Sequence, residues 1–249
     1  MGAINFSISE DLIRILCREL GLGQFVETGT YKGESLATAA KIFPRCHSVE
    51  SSTHYFEEAK RKFLKVPNVH LHLGDSPKFL ELHREAFFAV PTLFWLDAHW
   101  CAAEHSLDED SQTPLLLELS AIGSLNPASV ILIDDARLYL CPPPKPHRLG
   151  PWPDIHDVVK ALYTLSWEHR LMICNDVLIF YPASAVKVLS EFAHNCGEDW
   201  LLLADDARTL RRDKIKHASK RKNRWKRIFS LGFLSTSPKQ DFIVDQCNR

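Results

Sequence analysis

Between residues 24 and 133 one local theme recurs: a short apolar run of strand length, then a stretch with apolar residues at helical spacing. The strand-like runs are Gln24–Thr28 (QFVET), Cys46–Ser51, Val69–Leu73, Thr92–Asp97 and the run VILIDD that ends at Asp135. The stretches GESLATAAKIF, THYFEEAKRKFL, SPKFLELHREAF and PLLLELSAIGSL separate or follow them as predicted helices. Parallel strands need a crossover between them, and a helix is the usual one. Five such units therefore predict an open, doubly wound, mostly parallel sheet with helices on both faces. Two flanking segments complete the pattern. ISEDLIRILCREL is a predicted helix with Ser9 as its N-cap and Gly21 past its end. After a further helix, DIHDVVKALYTLSW, the segment from Arg170 to Pro182 has Asn175-Asp176 between two β-rich runs and reads as a hairpin. Sheets of this kind bind ligands at the carboxyl ends of their strands.

Length and composition narrow the class. A chain of 249 residues with 45% hydrophobic residues suits one large soluble α/β domain, expected over residues 1–200. No apolar run nears the roughly 18 residues that span a bilayer. The start MGAINFSISEDL lacks a basic segment followed by an apolar one, so no signal peptide is expected, and Phe6-Ser7 fits a myristoylation motif only loosely. The seven cysteines are scattered, with no CxxC, which points to reduced thiols in a cytoplasmic compartment. Net charge is −1, yet Arg211 to Arg227 holds ten Lys and Arg against one Asp, so residues 201–249 read as a basic extension on an acidic body.

The strand ends carry the chemistry. FVETGTYKGES sets Glu27-x-Gly29-x-x-x-Gly33 between a strand and a helix, where glycine permits a tight turn and close approach of a ligand to the backbone. The spacing is neither the dinucleotide GxGxxG nor a P-loop; an ordinary turn is the plain alternative. Glu50 closes the second strand, where an acidic side chain can accept ribose hydroxyls or simply be solvated. Asp75 and Ser76 follow the third strand. Asp75 is placed to pair with an adenine amine, and Ser76, ahead of Pro77, is the expected helix cap.

These residues, in this order and spacing, resemble the class I S-adenosylmethionine-dependent methyltransferases over Gln24 to Pro182. The resemblance implies a Rossmann-like seven-stranded sheet whose last strand is antiparallel, supplied here by the hairpin. It implies cofactor contacts from Glu27, Thr28, Gly29, Thr30, Tyr31, Gly33, Glu50, Ser51, Asp75, Ser76 and Asp97.

Asp97 ends the fourth strand, and Asp134 and Asp135 end the fifth. In a doubly wound sheet those strands are neighbours, so three carboxylates meet at one edge. Without a cation they raise one another's pKa values. An all-oxygen set suits Mg²⁺ or a similar divalent ion. The pattern resembles the metal-dependent, macrocin-type O-methyltransferases, which methylate sugars and use an aspartate after strand four with an Asp-Asp pair after strand five. Those enzymes carry an acidic residue two positions past the first aspartate; this chain has His99, a candidate general base near neutral pH. The alternative is that one aspartate contacts the cofactor and another caps a helix or pairs with Arg137. A zinc cluster of His99, Cys101 and His105 is the weaker metal reading.

Other features take plainer readings. His70 and His72 share a strand face and read as packed or partly exposed strand residues rather than ligands; Arg137 and Lys145 read as solvated cations, with contact to an anionic substrate as the alternative. The loop CPPPKPHRLGPWP, with Leu149 and Trp152 as apolar anchors, is either a substrate lid or a crossover. A near-copy of the aspartate pair, LLADDARTL at Leu202–Leu210, follows the last predicted strand, so Asp205 and Asp206 read as solvated. The leading expectation is an O-methyltransferase acting on a small hydroxylated acceptor such as a sugar. Two others stand beside it: a non-catalytic nucleoside- or partner-binding module, and a nucleic-acid methyltransferase using the basic tail with its Trp225 and Phe229. The Asn/Asp-Pro-Pro-aromatic motif of amino-methylating enzymes is absent.

Overall fold

The computed structural model describes residues 7–99, 112–199 and 201–212. The five predicted parallel strands form as β1 Gln24–Thr28, β2 Cys46–Glu50, β3 Val69–Leu73, β4 Thr92–Leu96 and β5 Val130–Ile133. The hairpin is β6 Arg170–Cys174 and β7 Val177–Tyr181. All seven join one sheet in the order β3-β2-β1-β4-β5-β7-β6. β1 to β5 pair in parallel, and β7 lies antiparallel between β5 and β6. This is the expected doubly wound, mostly parallel, Rossmann-like sheet closed by an antiparallel hairpin. The turn residues Asn175 and Asp176 have φ of 50° and 66°, the left-handed pair that a two-residue hairpin turn requires.

Helices cover both faces. One face carries α1 Glu10–Leu20, α2 Glu34–Ala39, α3 Thr53–Lys62 and α9 Val186–Cys196. The other carries α4 Ser76–Leu82, α5 Arg84–Ala89, α6 Leu115–Ile122, the short α7 Arg137–Leu140 and α8 Ile155–Leu165. Successive strand residues point to opposite faces. Thus Phe25, Leu93, Trp95, Val130 and Leu132 enter one core, and Val26, Phe94, Leu96, Ile131 and Ile133 the other. Burial of each such strand side chain is worth about 1.5–3 kcal/mol, which is why β4 (TLFWL) and β5 (VILI) read as near-continuous apolar runs.

Two local expectations change. The predicted helix SPKFLELHREAF is two helices that meet at His83. Its cap is Asp75, not Ser76: Asp75 is extended (φ −79°, ψ 128°) and its carboxylate accepts from the Lys78 N–H at 3.4 Å, while Ser76 is already helical. Both types can cap, but the carboxylate also meets the positive end of the helix.

The described residues divide after Gly197. Within the second unit residues 201–212 are helical. Among the described residues no helix is long and apolar enough to cross a membrane.

Candidate functional site

Strand register brings the expected residues to one row. Thr28 pairs with Val49 on one side and with Leu96 on the other, and Leu96 pairs with Ile133. The next residue of each strand is therefore Gly29, Glu50, Asp97 and Asp134. The ladder extends one step to hold this row, through Gly29 N–H to the Val49 carbonyl (3.0 Å), Asp97 N–H to Thr28 (3.2 Å) and Asp134 N–H to Leu96 (3.2 Å).

The turn after β1 is built around its glycines. Gly29 has φ 82°, and a Cβ there would stand 2.4 Å from the Asp97 carbonyl oxygen. Gly33 has φ 65°, and its Cβ would meet the Phe63 ring at 2.7 Å. Lys62 of α3 donates to the Lys32 and Gly33 carbonyls at 2.7 and 3.0 Å, fixing the far side of the turn. Beneath it the buried Glu27 Oε2 accepts from Ser48 Oγ at 2.6 Å, and Ser48 Oγ lies 2.6 Å from Thr30 Oγ1. Burial drives the Glu27 carboxyl well above its ordinary range, and the Ser48 hydrogen bond only partly offsets this. Glu50 spans the row. Its Oε2 accepts the Tyr31 N–H at 2.9 Å and its Oε1 the Ser52 N–H at 2.8 Å, so the carboxylate ties the glycine turn to the start of α3. Ser51 is exposed beside it.

The carboxylates meet His99. Its Nε2 lies 3.3 Å from Asp97 Oδ1 and 3.2 Å from Asp135 Oδ2. Burial lowers the imidazole pKa, but the Asp135 hydrogen bond and the charges of Asp97 and Asp135 outweigh it and hold His99 above its ordinary value. Asp97 is pushed up to about 7 by burial and by Asp134. Asp134 is raised too, by burial and by Asp135. Asp135 goes the other way: burial is outweighed by His99 and Arg137, and its carboxyl sits low. Ligand atoms of Asp97, His99 and Asp134 lie within 4.8 Å of one another, the one such group among the described residues. Asp135 lies outside that trio and turns one oxygen to Arg137 Nη1 at 2.6 Å. The expectation of a solvated Arg137 is thus corrected, because the guanidinium bridges Asp135 and the buried Asp176.

Two contributors escaped the sequence reading. Glu118 of α6 is 1% exposed, and its carboxyl is hydrogen-bonded with Ser76 and Thr28, which flank the row. Burial pushes it up to about 7. A lone carboxylate inside the apolar PLLLELSAI was the available signal. Gln112 is the other: its Oε1 accepts from Trp152 Nε1 at 2.8 Å and from the Arg148 N–H at 2.9 Å, pinning the proline-rich loop. Trp152 is the anchor of that loop, with ring contacts to His99 (6.0 Å between centroids), Tyr139 (5.6 Å) and His147 (5.2 Å). Leu149, expected as a second anchor, is 79% exposed. Trp152 also borders an open groove of about 250 Å³ between Gly150–Pro153 and the start of α6. Lys145 is exposed.

The near-copy behaves as a surface segment. Asp205 is exposed on the 201–212 helix and pairs with Arg208 at 3.6 Å. Cys101 and His105 of the zinc alternative, Phe6, and the tail from 213 onward with Trp225 and Phe229 lie outside the described residues.

The chain matches no protein-family model and no curated protein. Solved structures resemble the chain at low identity. An O-methyltransferase from Bacillus cereus in complex with SAH is 16% identical, with 72% of this chain and 82% of that one covered and a TM-score of 0.48. The O-methyltransferase TomG from Streptomyces achromogenes, in complex with SAM, gives 14%, 71%, 82% and 0.47. A sugar N-methyltransferase from Streptoalloteichus gives 14%, 70%, 86% and 0.45. Likeness at this level adds nothing to the strand order, so function rests on the geometry above.

Proposed function

We propose that the chain is a methyltransferase that moves a methyl group from S-adenosylmethionine to a hydroxyl oxygen of a small acceptor, a sugar being the leading class, assisted by Mg²⁺ or a similar divalent cation. The observation that carries this reading is the row Gly29, Glu50, Asp97 and Asp134 across adjacent strand ends, with His99 among the carboxylates.

The residues suit the cofactor. Glu50 projects at the ribose position with both oxygens already aligned by backbone N–H groups, each keeping a further lone pair. Gly29 and Gly33 let the main chain run close to the amino-acid end, and Glu27 with Ser48 and Thr30 supports that turn from below. Asp75 and Ser76 stand at the adenine end. Bound there, the cofactor supplies an electrophilic methyl carbon.

The residues also suit a cation. Asp97 and Asp134 are carboxylates whose pKa values are raised by burial and by the neighbouring carboxylates, and Asp135 stands beside them. Asp97 and Asp134, with Asp135 beside them, would hold a divalent ion, whose positive charge would acidify an acceptor hydroxyl and take the place of the charge on a protonated His99. His99, held by Asp135, is then a neutral base that takes the hydroxyl proton as the oxygen bonds to the methyl carbon and the carbon–sulfur bond breaks. Arg137 and Asp176 fix the Asp135 that orients it.

Calorimetry of the full chain with S-adenosylmethionine, with and without Mg²⁺, joined to labelled-methyl transfer onto a panel of hydroxylated acceptors, tests this. Cofactor binding strengthened by Mg²⁺ and transfer abolished by chelator are expected. No cofactor binding at millimolar concentration overturns the reading. Transfer indifferent to chelator and to Asp134→Ala removes the cation and leaves the transferase.

A further inference from the structure

Four histidines gather against one face of the β2–β3 edge of the sheet. His47 of β2 and His70 of β3 are register partners, and His72, two residues along β3, shares their face. His83, at the junction of α4 and α5, covers them. Ring centroids lie 5.0 Å apart for His47–His70, 5.6 Å for His47–His72 and 5.3 Å for His72–His83. Phe79 and Phe87 close the sides, 4.6 Å from His72 and 5.6 Å from His83. With two histidines in view, packing was the better reading. With four from three elements, it is no longer sufficient.

The nitrogens are arranged as well as the rings. His47 Nδ1 lies 3.3 Å from His72 Nε2. Two ligands of a tetrahedral Zn²⁺, each at about 2.0–2.1 Å, stand about 3.3 Å apart. His83 Nδ1 lies 2.9 Å from the Phe79 carbonyl, which can only accept, so that nitrogen carries the proton and the neutral ring keeps its lone pair on Nε2. A ring nitrogen donating to a main-chain carbonyl is the arrangement that orients metal-binding histidines.

We propose that His47, His72 and His83, with His70 at the rim, bind a first-row transition-metal dication, zinc above all, at a site separate from the carboxylate cleft. An all-imidazole set selects such ions and rejects Mg²⁺ and Ca²⁺. His47 and His72 stand at the spacing of one tetrahedral edge; no third imidazole nitrogen among the described residues lies within 4.8 Å of both, so His83 would have to swing in by side-chain rotation, and water would complete the set. The proton between His47 and His72 moves to the outer nitrogen of its own ring, so binding leaves both rings neutral. The ion would join the edge strand β3 to β2 and to the α4–α5 junction.

The test uses full-length protein without a histidine tag, carrying Asp134→Asn to silence the cleft. Co²⁺ is titrated and followed in the visible, where tetrahedral Co²⁺ absorbs strongly and octahedral Co²⁺ weakly. One strongly absorbing equivalent, displaced by Zn²⁺ and weakened at least tenfold by His47→Gln with His72→Gln, is expected. Paramagnetic broadening of backbone amides by Co²⁺ locates the ion without altering the cluster. Broadening centred on residues 47–49 and 70–72 supports the site. Absence of the strong band in the Asp134→Asn protein, an undiminished band in the double histidine variant, or broadening centred elsewhere overturns it.

Discussion

Arg137 is tied to Asp176 through its backbone and its side chain at once: Asp176 Oδ1 accepts the Arg137 N–H at 2.8 Å, and Oδ2 accepts from the guanidinium. The same guanidinium holds Asp135 at 2.6 Å. A hairpin turn thereby sets the position of a carboxylate at the end of β5. Asp176→Ala should cost about 1–3 kcal/mol in urea unfolding, since Arg137 is part-exposed and finds water in compensation. It should also lower kcat while the KM for S-adenosylmethionine holds. Asp176→Asn keeps the N–H acceptor and should lose less on both counts.

Gly29→Ala introduces a Cβ within 2.4 Å of the Asp97 carbonyl, at a φ of 82° that alanine resists. The β1 turn and Asp97 cannot both stay in place. Cofactor affinity measured by calorimetry should fall more than tenfold, with a stability loss of about 1–3 kcal/mol. Gly21→Ala, at a φ of 63° but with open space around it, should cost stability alone.

Glu118 binds its proton more tightly in the folded chain, where its pKa is about 7 against an ordinary 4.5. Such a group contributes stability in full below about pH 4.5, and that contribution is lost as pH rises through about 7. Glu118→Gln cannot ionise. It should match the parent near pH 4.5 and exceed it near pH 8 by up to about 3 kcal/mol, read from denaturant midpoints at the two pH values.

His99→Gln should reduce methyl transfer by about 10²–10⁴-fold, the usual worth of a general base, while cofactor affinity holds. An unchanged rate would assign the proton transfer elsewhere.

Asp205→Ala and Asp206→Ala repeat the aspartate substitution in the near-copy. Both lie on an exposed helix, and the Asp205–Arg208 pair is a surface one. Stability should change by less than about 0.5 kcal/mol and activity not at all.

Much of this was legible in the residues because strand patterning and register are local. The apolar runs at 24–28, 92–96 and 130–133 specified buried parallel strands, and their ends then had to fall in one row. Position in the sheet also separated Asp134-Asp135 from Asp205-Asp206, which share the letters DDAR. What stayed hidden depends on contacts between distant elements. Asp75 and Ser76 both make good caps, and only the backbone angle at Asp75 decides between them. Arg137 looked solvated because its partner Asp176 is 39 residues away. His47 and His83 gave no sign of meeting His72, since the break between α4 and α5 that brings His83 over the sheet has no proline or glycine to announce it.

The placement of β7 between β5 and β6 has a consequence for synthesis. β5 acquires its second neighbour only from a strand ending at Tyr181, and the Arg137 that holds Asp135 acquires its second anchor only from Asp176. A ribosome adds about 5–20 residues each second, so for several seconds a nascent chain carries the five parallel strands with β5 still an open edge. The row of Gly29, Glu50, Asp97 and Asp134 can assemble in that interval. The link from Arg137 to Asp176 cannot, and a chain halted before the hairpin would hold the row with Asp135 and Arg137 lacking that brace.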